Sequence, residues 1–355
     1  MDIKEKLKNF KGEFDVVLKD FLDEQIEEMK KEDELVADVL RHASKITLSG
    51  GKRLRPALMY HGYLAVGGKK DERIMKAVRS VEILHSFLLI HDDIIDRDKK
   101  RHDVKTVHTK YKEFGKKIAS KKDYDHFGNS IAIIAGDMFH ALGNIALYDS
   151  GFESNAILKA LKNLQSIVNI TIVGESQDVY IEYKGNATEQ EVIEVYRNKT
   201  AKYTIEGPLH TGAILAGANE SLLRSFTEFS IPLGVAFQIQ DDILGVFGVE
   251  KKIGKPLGSD IEEGKQTILV VKALELGDNE QKKIIGDLLG KKGLSGDEIE
   301  QFKRTIEDTG ALEYAKKLSQ EYISEAKNKI AVLDVEQESK DFIMGIADYM
   351  TSREV

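Results

Sequence analysis

Two pairs of adjacent aspartates, Asp92–Asp93 and Asp241–Asp242, each follow an apolar stretch with helical periodicity. In SVEILHSFLLIHDDIIDRD (Ser80 to Asp98) an apolar run, from Val81 to Ile90, enters Asp92, Asp93, Asp96 and Asp98 without a loop signal. Helical residues four apart share a face, so Asp92 and Asp96 project side by side, with Leu88 and Leu84 on nearly the same stripe. Two carboxylates at that spacing repel unless a positive charge sits between them. Hard oxygen ligands in an apolar cleft suit Mg²⁺, which binds one or two carboxylates together with phosphate oxygens. The plainer reading is a solvated helix end, but acids at a helix C-terminus oppose the macrodipole. The second pair, in FQIQDDILGVFG (Phe237 to Gly248), repeats the arrangement. Two acidic pairs, each at the end of an apolar helix, point to opposing walls of one cleft.

Basic residues complement that acid if the ligand is a diphosphate. GGKRLRP (Gly50 to Pro56) places Lys52, Arg53 and Arg55 after two flexible glycines; arginine grips phosphate through a planar fork, and lysine acts as a point charge. Alone, such a segment more often marks a solvated turn. In YRNKTAKYTIEG, Lys199 falls beside the stripe of Tyr196, Thr200 and Tyr203, where it needs an anionic partner or must snorkel outward. Lys255 and Lys265 flank the second acidic helix in a glycine-rich loop, where simple solvation is the competing reading. His85 precedes Asp92 by about two turns and points to the same side; a lone helical histidine is usually structural.

These residues must be held by helices. Only 4 Pro interrupt the chain, apolar residues recur at three and four, and strand-like alternation is scarce, which predicts an all-α fold. Turn signals are short, with no long Ser/Pro/Gly linker, so residues 1–355 read as one helical domain. Lys110 to Phe127, the least periodic segment, is expected to be a surface insertion. The 355 residues are 41% hydrophobic, enough for a sizeable core, and the absence of Cys excludes disulfides, thiolate metal sites and a cysteine nucleophile. With a formal net charge of -8, nucleic acid or an acidic membrane surface is not the default partner. The N-terminal stretch lacks the apolar core of a signal peptide, and no window offers the roughly 18 uninterrupted apolar residues of a membrane span. A soluble, cytoplasmic protein is expected.

From about Gly50 to Lys265 the sequence resembles the trans-isoprenyl diphosphate synthases, or polyprenyl synthetases, because GGKRLRP, DDIID and FQIQDD…GKPLGSDIEEGK occur in that order. Together they are specific; each alone is weak. The resemblance implies an isoprenoid synthase fold, antiparallel helices around a central cavity, usually as a homodimer. It implies that Asp92, Asp93 and Asp96 on one wall and Asp241 and Asp242 on the other hold Mg²⁺. Arg101, Lys199, Lys255 and Lys265 would grip an allylic diphosphate. Lys52, Arg55, His85 and His102 would hold isopentenyl diphosphate, and Thr200 and Gln238 would turn their dipoles toward a developing carbocation. The implied chemistry is ionisation of the allylic C–O bond in a cavity closed to water, attack by the double bond of isopentenyl diphosphate, and proton loss to the departing diphosphate.

The family usually has paired arginines after the first acidic motif; here Arg101 is followed by His102, and by the resemblance weaker or pH-dependent binding of isopentenyl diphosphate is expected. Gly245 replaces a third aspartate, with Asp242 or Asp260 as possible compensation. By the resemblance, Phe87 with Leu88 next to it, and Leu84 a turn earlier, set the product length, and the expected product is geranylgeranyl diphosphate, with farnesyl diphosphate as the alternative. Helix geometry puts Phe87 about 140° from Asp92 and Leu88 about 40° away, so the ruler role of Phe87 comes from the resemblance and a plain core role competes with it. A terpene cyclase would not need the Lys52, Arg55 and His85 cluster. A non-catalytic regulatory subunit would not need an intact first acidic motif.

Overall fold

A computed structural model describes residues 2–248 and 258–351. The chain is built from helices: α1 (Ile3–Glu32), α2 (Glu34–Ser49), α3 (Leu54–Ala65), α4 (Glu72–Ala77), α5 (Arg79–Ile95), α6 (Val107–Ile118), α7 (Tyr124–Tyr148), α8 (Ser154–Lys184), α9 (Glu189–Val195), a π-helix (Tyr196–Glu206), α10 (Gly207–Leu215) and α11 (Glu220–Phe247). Helices Ser259–Glu263, Ile268–Leu276, Asn279–Leu288, Gly296–Asp308, Ala311–Ala331 and Gln337–Thr351 follow. Between α5 and α6, Lys100–Arg101 and Val104–Lys105 pair as a minimal antiparallel hairpin. The all-α expectation therefore holds.

The helices form where polar caps precede apolar stripes. Asp33 accepts the Val36 N–H at the start of α2, Asn219 accepts the Leu222 N–H at the start of α11, and Thr188 with Glu191 makes a reciprocal capping box on α9. Helix α5 buries Ile83, Leu84, Phe87 and Ile90 and packs along α7. The π-helix lies between α8 and α11, and two glycines permit that approach. A Cβ on Gly174 would lie 2.4 Å from the Lys199 backbone nitrogen, and one on Gly234 would lie 2.3 Å from Ala201 Cα. Any side chain at either position would push the π-helix off its seat.

The segment expected to be an insertion is mostly an integral helix. Tyr111 of α6 is fully buried and donates to Asp38 Oδ2 at 2.7 Å, and α6 packs along α7. Only the short connection between Ile118 and Tyr124 lacks helix, and Lys116, Lys117, Lys121 and Lys122 around it face solvent. The expectation about membrane spans also needs qualification. Among the described residues α7 and α8 are long and apolar enough to cross a bilayer. Interspersed polar residues divide their apolar stretches into shorter runs. Part of their apolar character is an uncovered face: Ile134, Ile145 and Tyr148 on α7, and Leu158, Ile172 and Val179 on α8, are exposed.

One buried histidine gives the fold an acid sensitivity. His61 of α3 stacks on Phe342 at 3.7 Å between ring centroids, and burial pushes its pKa down to about 3. A base whose folded pKa is depressed takes up a proton in the unfolded chain first, so stability is full above pH 6.5 and falls as pH drops toward the folded value. At pH 5 the loss from His61 is about 2 kcal/mol. His61→Phe is expected to flatten the dependence of the melting temperature on pH between 6.5 and 5; an unchanged slope would remove His61 as its source.

Candidate active site

The C-terminal ends of α5 and α11 bring the two acidic pairs to one place. Asp92 and Asp241 line the same cavity, of about 560 Å³, whose walls include Phe87, Leu88, Ile172 and Phe237. Asp92, Lys199, Thr200 and Gln238 also border a polar recess of about 150 Å³ that contains Asp96, Asp178, Asp242, Asp260 and Lys265. The π-helix puts Lys199, Thr200, Tyr203 and Thr204 all on the cavity wall. Its i→i+5 hydrogen bonding widens the turn, a distortion often found at functional sites.

A third acidic wall was not anticipated. Glu175, Asp178 and Glu182 on α8 recur at i, i+3 and i+7 and share one face; that spacing in GESQDVYIEYKG was the available signal. Lys199 Nζ lies 2.7 Å from both Glu175 Oε2 and Asp178 Oδ2, and 3.9 Å from Asp92 Oδ1. Lys265 Nζ lies 3.0 Å from Asp96 Oδ1, 3.7 Å from Asp178 and 3.8 Å from Glu182. Burial works against both ammonium charges, but Asp178 and its acidic neighbours outweigh it and hold both lysine pKa values above their ordinary value. The lysines thus stay charged where the carboxylates converge.

The second members of the aspartate pairs are held by neighbouring side chains: Asp93 lies outside both cavities that hold Asp92, whereas Asp242 lines the polar recess. Asp93 is buried and takes the Arg101 fork, with Nε at 2.8 Å and Nη2 at 2.6 Å from Oδ1. Burial raises its pKa to about 7, with Arg101 opposing and Asp92 adding to the shift. Arg101 also lies 3.5 Å from Asp92 Oδ2 and is therefore committed to the acidic motif. Asp242 is fixed by the Tyr196 hydroxyl and by Gln238 Nε2 at 2.9 Å, and burial raises its pKa to about 8. Tyr196 in turn accepts the Ile268 N–H at 2.9 Å. Asp242 orients Gln238, whose Oε1 accepts from Thr200 Oγ1 at 2.6 Å. Having donated its proton there, Thr200 keeps its oxygen lone pairs for the cavity.

The basic cluster is partly assembled. Arg55 Nη1 lies 3.1 Å from His85 Nε2, Arg55 Nη2 donates to Thr204 at 2.8 Å, and the guanidinium stacks 4.5 Å above the Tyr203 ring. Arginine only donates, so His85 Nε2 accepts, and Nδ1 carries the proton toward the Tyr203 oxygen 2.7 Å away. Burial, reinforced by Arg55, holds the His85 pKa well below its ordinary value, so the ring is neutral. His102 packs against Gly50, where a Cβ would lie 2.4 Å from its ring, and borders a recess with Arg53, Glu82, His85 and Arg101. Lys52 is exposed, with its ammonium 5.2 Å from the Tyr349 ring centroid. Lys255 lies outside the described residues. Leu84 is buried against α7 at Gly143 and is not among the residues that line the cavity, whereas Phe87 and Leu88 are.

Comparison with known proteins places this site. The polyprenyl synthetase family model matches residues 37–306. The chain belongs to the polyprenyl synthetase family. It is 38% identical over 277 residues to a geranylgeranyl diphosphate synthase of Saccharolobus solfataricus, covering 77% of each chain. It is 34% identical over 333 residues to a geranylgeranyl pyrophosphate synthase of Geoglobus acetivorans, covering 94% of this chain and 96% of that one. The crystal structure of a geranylgeranyl pyrophosphate synthase from Corynebacterium glutamicum, complexed with isoprenyl diphosphate and magnesium, superposes with a TM-score of 0.92 at 31% identity over the full length of both chains. The helices described above are thus an isoprenoid synthase fold, and the chain is a prenyltransferase.

For a polyprenyl synthetase, the donor set suits Mg²⁺. Among the described residues no three ligating side chains gather tightly enough to cage an ion by themselves. Mg²⁺ needs no such cage, since one or two carboxylates with water and phosphate oxygens suffice. The acids facing the cleft outnumber Lys199 and Lys265, and Glu175 Oε1 is buried without a hydrogen-bond partner. In this polyprenyl synthetase the glycine of the second acidic motif has a close neighbour: a Cβ on Gly245 would lie 2.3 Å from Asp260 Oδ2. Asp260 thus places its carboxylate over the site of the missing side chain. Gly245→Asp is expected to lower stability by about 1–3 kcal/mol through overpacking and like-charge contact, and Gly245→Asp with Asp260→Ala to recover most of it. Thermal unfolding of the two proteins checks this; equal melting temperatures would contradict the contact.

Proposed function

We propose that this chain is a cytoplasmic, Mg²⁺-dependent, homodimeric enzyme that condenses isopentenyl diphosphate with an allylic diphosphate to give geranylgeranyl diphosphate. The observation that carries the reading is the cavity shared by Asp92 and Asp241, where apolar side chains such as Phe87, Leu88 and Phe237 stand beside Lys199, Arg55 and His85. The names of the relatives favour the twenty-carbon product. The uncovered apolar faces of α7 and α8 supply a surface for a second copy, since patches of that kind on soluble proteins commonly mark an interface.

Asp92, Asp96 and Asp241 are the proposed metal ligands, and bound Mg²⁺ would neutralise charge on the leaving diphosphate. Lys199 and Lys265 exchange their carboxylate partners for diphosphate oxygens when substrate arrives, and Arg101 steadies the first acidic motif through Asp93. Thr200 turns its lone pairs to the cationic carbon, held by Gln238 and Asp242. Phe87, Leu88 and Phe237 exclude water that would quench the cation. Arg55, Lys52, His85 and His102 hold isopentenyl diphosphate, whose double bond attacks; the departing diphosphate removes the final proton, so no side-chain nucleophile is needed.

The test is turnover by the purified chain alone with isopentenyl diphosphate and each allylic primer, followed by chromatography. A twenty-carbon product from shorter primers, and none without isopentenyl diphosphate, is expected. Consumption of the allylic diphosphate alone would point to a cyclase, and an inactive chain to a regulatory subunit.

A further inference from the structure

Arg53 stands between Lys52 and Arg55 and points the opposite way. Its side chain is only 1% exposed, although it belongs to a run of basic residues that reads as a solvated turn. Nε donates to Asp15 Oδ1 of α1 at 2.6 Å, Nη1 pairs with Glu82 of α5, and Nη2 donates to the Thr47 carbonyl of α2 at 2.9 Å. One guanidinium therefore ties three helices to the residue that caps α3. The Arg53 backbone is left-handed, with φ 54° and ψ 36°, a conformation unfavourable for a residue with a Cβ. Such a conformation persists where the surroundings over-determine it. With Arg53 inward, Lys52 is left on the exposed side and Arg55 reaches the cavity to meet His85 and Thr204. His102 rests on Gly50 in the same segment, and Arg53, Glu82, His85 and His102 border one small recess.

We propose that Arg53 is the positioning residue of the isopentenyl diphosphate subsite: it anchors Gly50–Pro56 to α1, α2 and α5 and so fixes Arg55, Lys52 and the seat of His102 relative to one another. The inference rests on the assignment of those residues to isopentenyl diphosphate. Arg53 itself touches no substrate. A packing role would lower stability and affect both substrates alike; a positioning role acts on one substrate.

Arg53→Met alone would strand a buried carboxylate on Glu82 and could unfold the chain, so Arg53→Met/Glu82→Gln removes both charges together. Arg53→Lys keeps the charge but loses the planar fork. In the full chain, KM for isopentenyl diphosphate is expected to rise about tenfold in the double variant and less in Arg53→Lys, with KM for the allylic substrate and kcat within about twofold of the parent. If the double variant fails to fold, Arg53→Lys and Asp15→Asn carry the same measurement. A KM for isopentenyl diphosphate that is unchanged, or that rises only in step with the allylic KM, overturns the positioning role. Arg55→Ala is the reference. A selective rise there with none in the Arg53 variants defeats the inference alone, whereas no selective rise there defeats the subsite assignment beneath it.

Discussion

Asp92→Ala is expected to lose about three orders of magnitude in turnover while keeping its helical signal and melting temperature. The Asp92 side chain is part-exposed at the cleft, so its removal opens no core cavity. Its backbone carbonyl still accepts the Asp96 N–H at the end of α5. What disappears is one half of the i,i+4 carboxylate pair, and with it the acid that faces Lys199 at 3.9 Å and Arg101 at 3.5 Å. Both cations keep other partners, so the resting structure survives; the loss falls on the state in which diphosphate and metal share the cleft. Steady-state turnover at saturating Mg²⁺, with circular dichroism on the same sample, checks this. Turnover within tenfold of the parent would remove Asp92 from the metal role.

Phe87→Ala is expected to shift the product beyond twenty carbons. Phe87 is 7% exposed and lines the cavity that holds Asp92, although ideal phase turns it away from that residue. Both Phe87 and Asp92 nonetheless border the one cavity. The ring edge meets His91 at 5.1 Å and His140 at 5.2 Å. Behind it His140 Nε2 lies 3.0 Å from Gln165 Oε1, and Gln165 donates to Asn144 at 2.7 Å. Removing the ring extends the apolar space up to this polar layer, where a growing chain meets groups it cannot solvate. An extension by one or two isoprene units is therefore expected rather than unlimited growth. Loss of a buried phenyl ring costs about 3–5 kcal/mol at most, so products are compared per folded protein. An unchanged chromatogram would return Phe87 to ordinary packing.

The parts of the site legible in the sequence were those that break a local rule. Asp92 and Asp96 at the end of an apolar helix, repeated at Asp241, and Lys199 beside an apolar stripe each violate the expectation that charge faces water, and the violation located the cleft. What stayed hidden depended on direction. Adjacent aspartates are equivalent as letters, yet Asp93 turns to Arg101 of the following hairpin and Asp242 to Tyr196 of the π-helix, because side chains outside their own helices offer donors there. Lys52, Arg53 and Arg55 were likewise one basic run until a left-handed backbone sent Arg53 inward. Glu175, Asp178 and Glu182 were overlooked because acids on a long helix usually mark a solvated face. The π-helix was illegible because the stripe of Tyr196, Thr200 and Tyr203 satisfies α spacing equally well. The helix α6 was missed because its few apolar residues hide among lysines, although Tyr111 is fully buried.

The most direct test of the shared cleft is calorimetric binding of an allylic thiolodiphosphate, which ionises slowly, to the parent chain, Asp92→Asn and Asp241→Asn, with and without Mg²⁺. Binding that needs Mg²⁺ in the parent and weakens at least tenfold in each variant is predicted for two walls that hold one metal-bound diphosphate. Equal affinity without Mg²⁺, or an Asp241→Asn variant that binds like the parent, would contradict it.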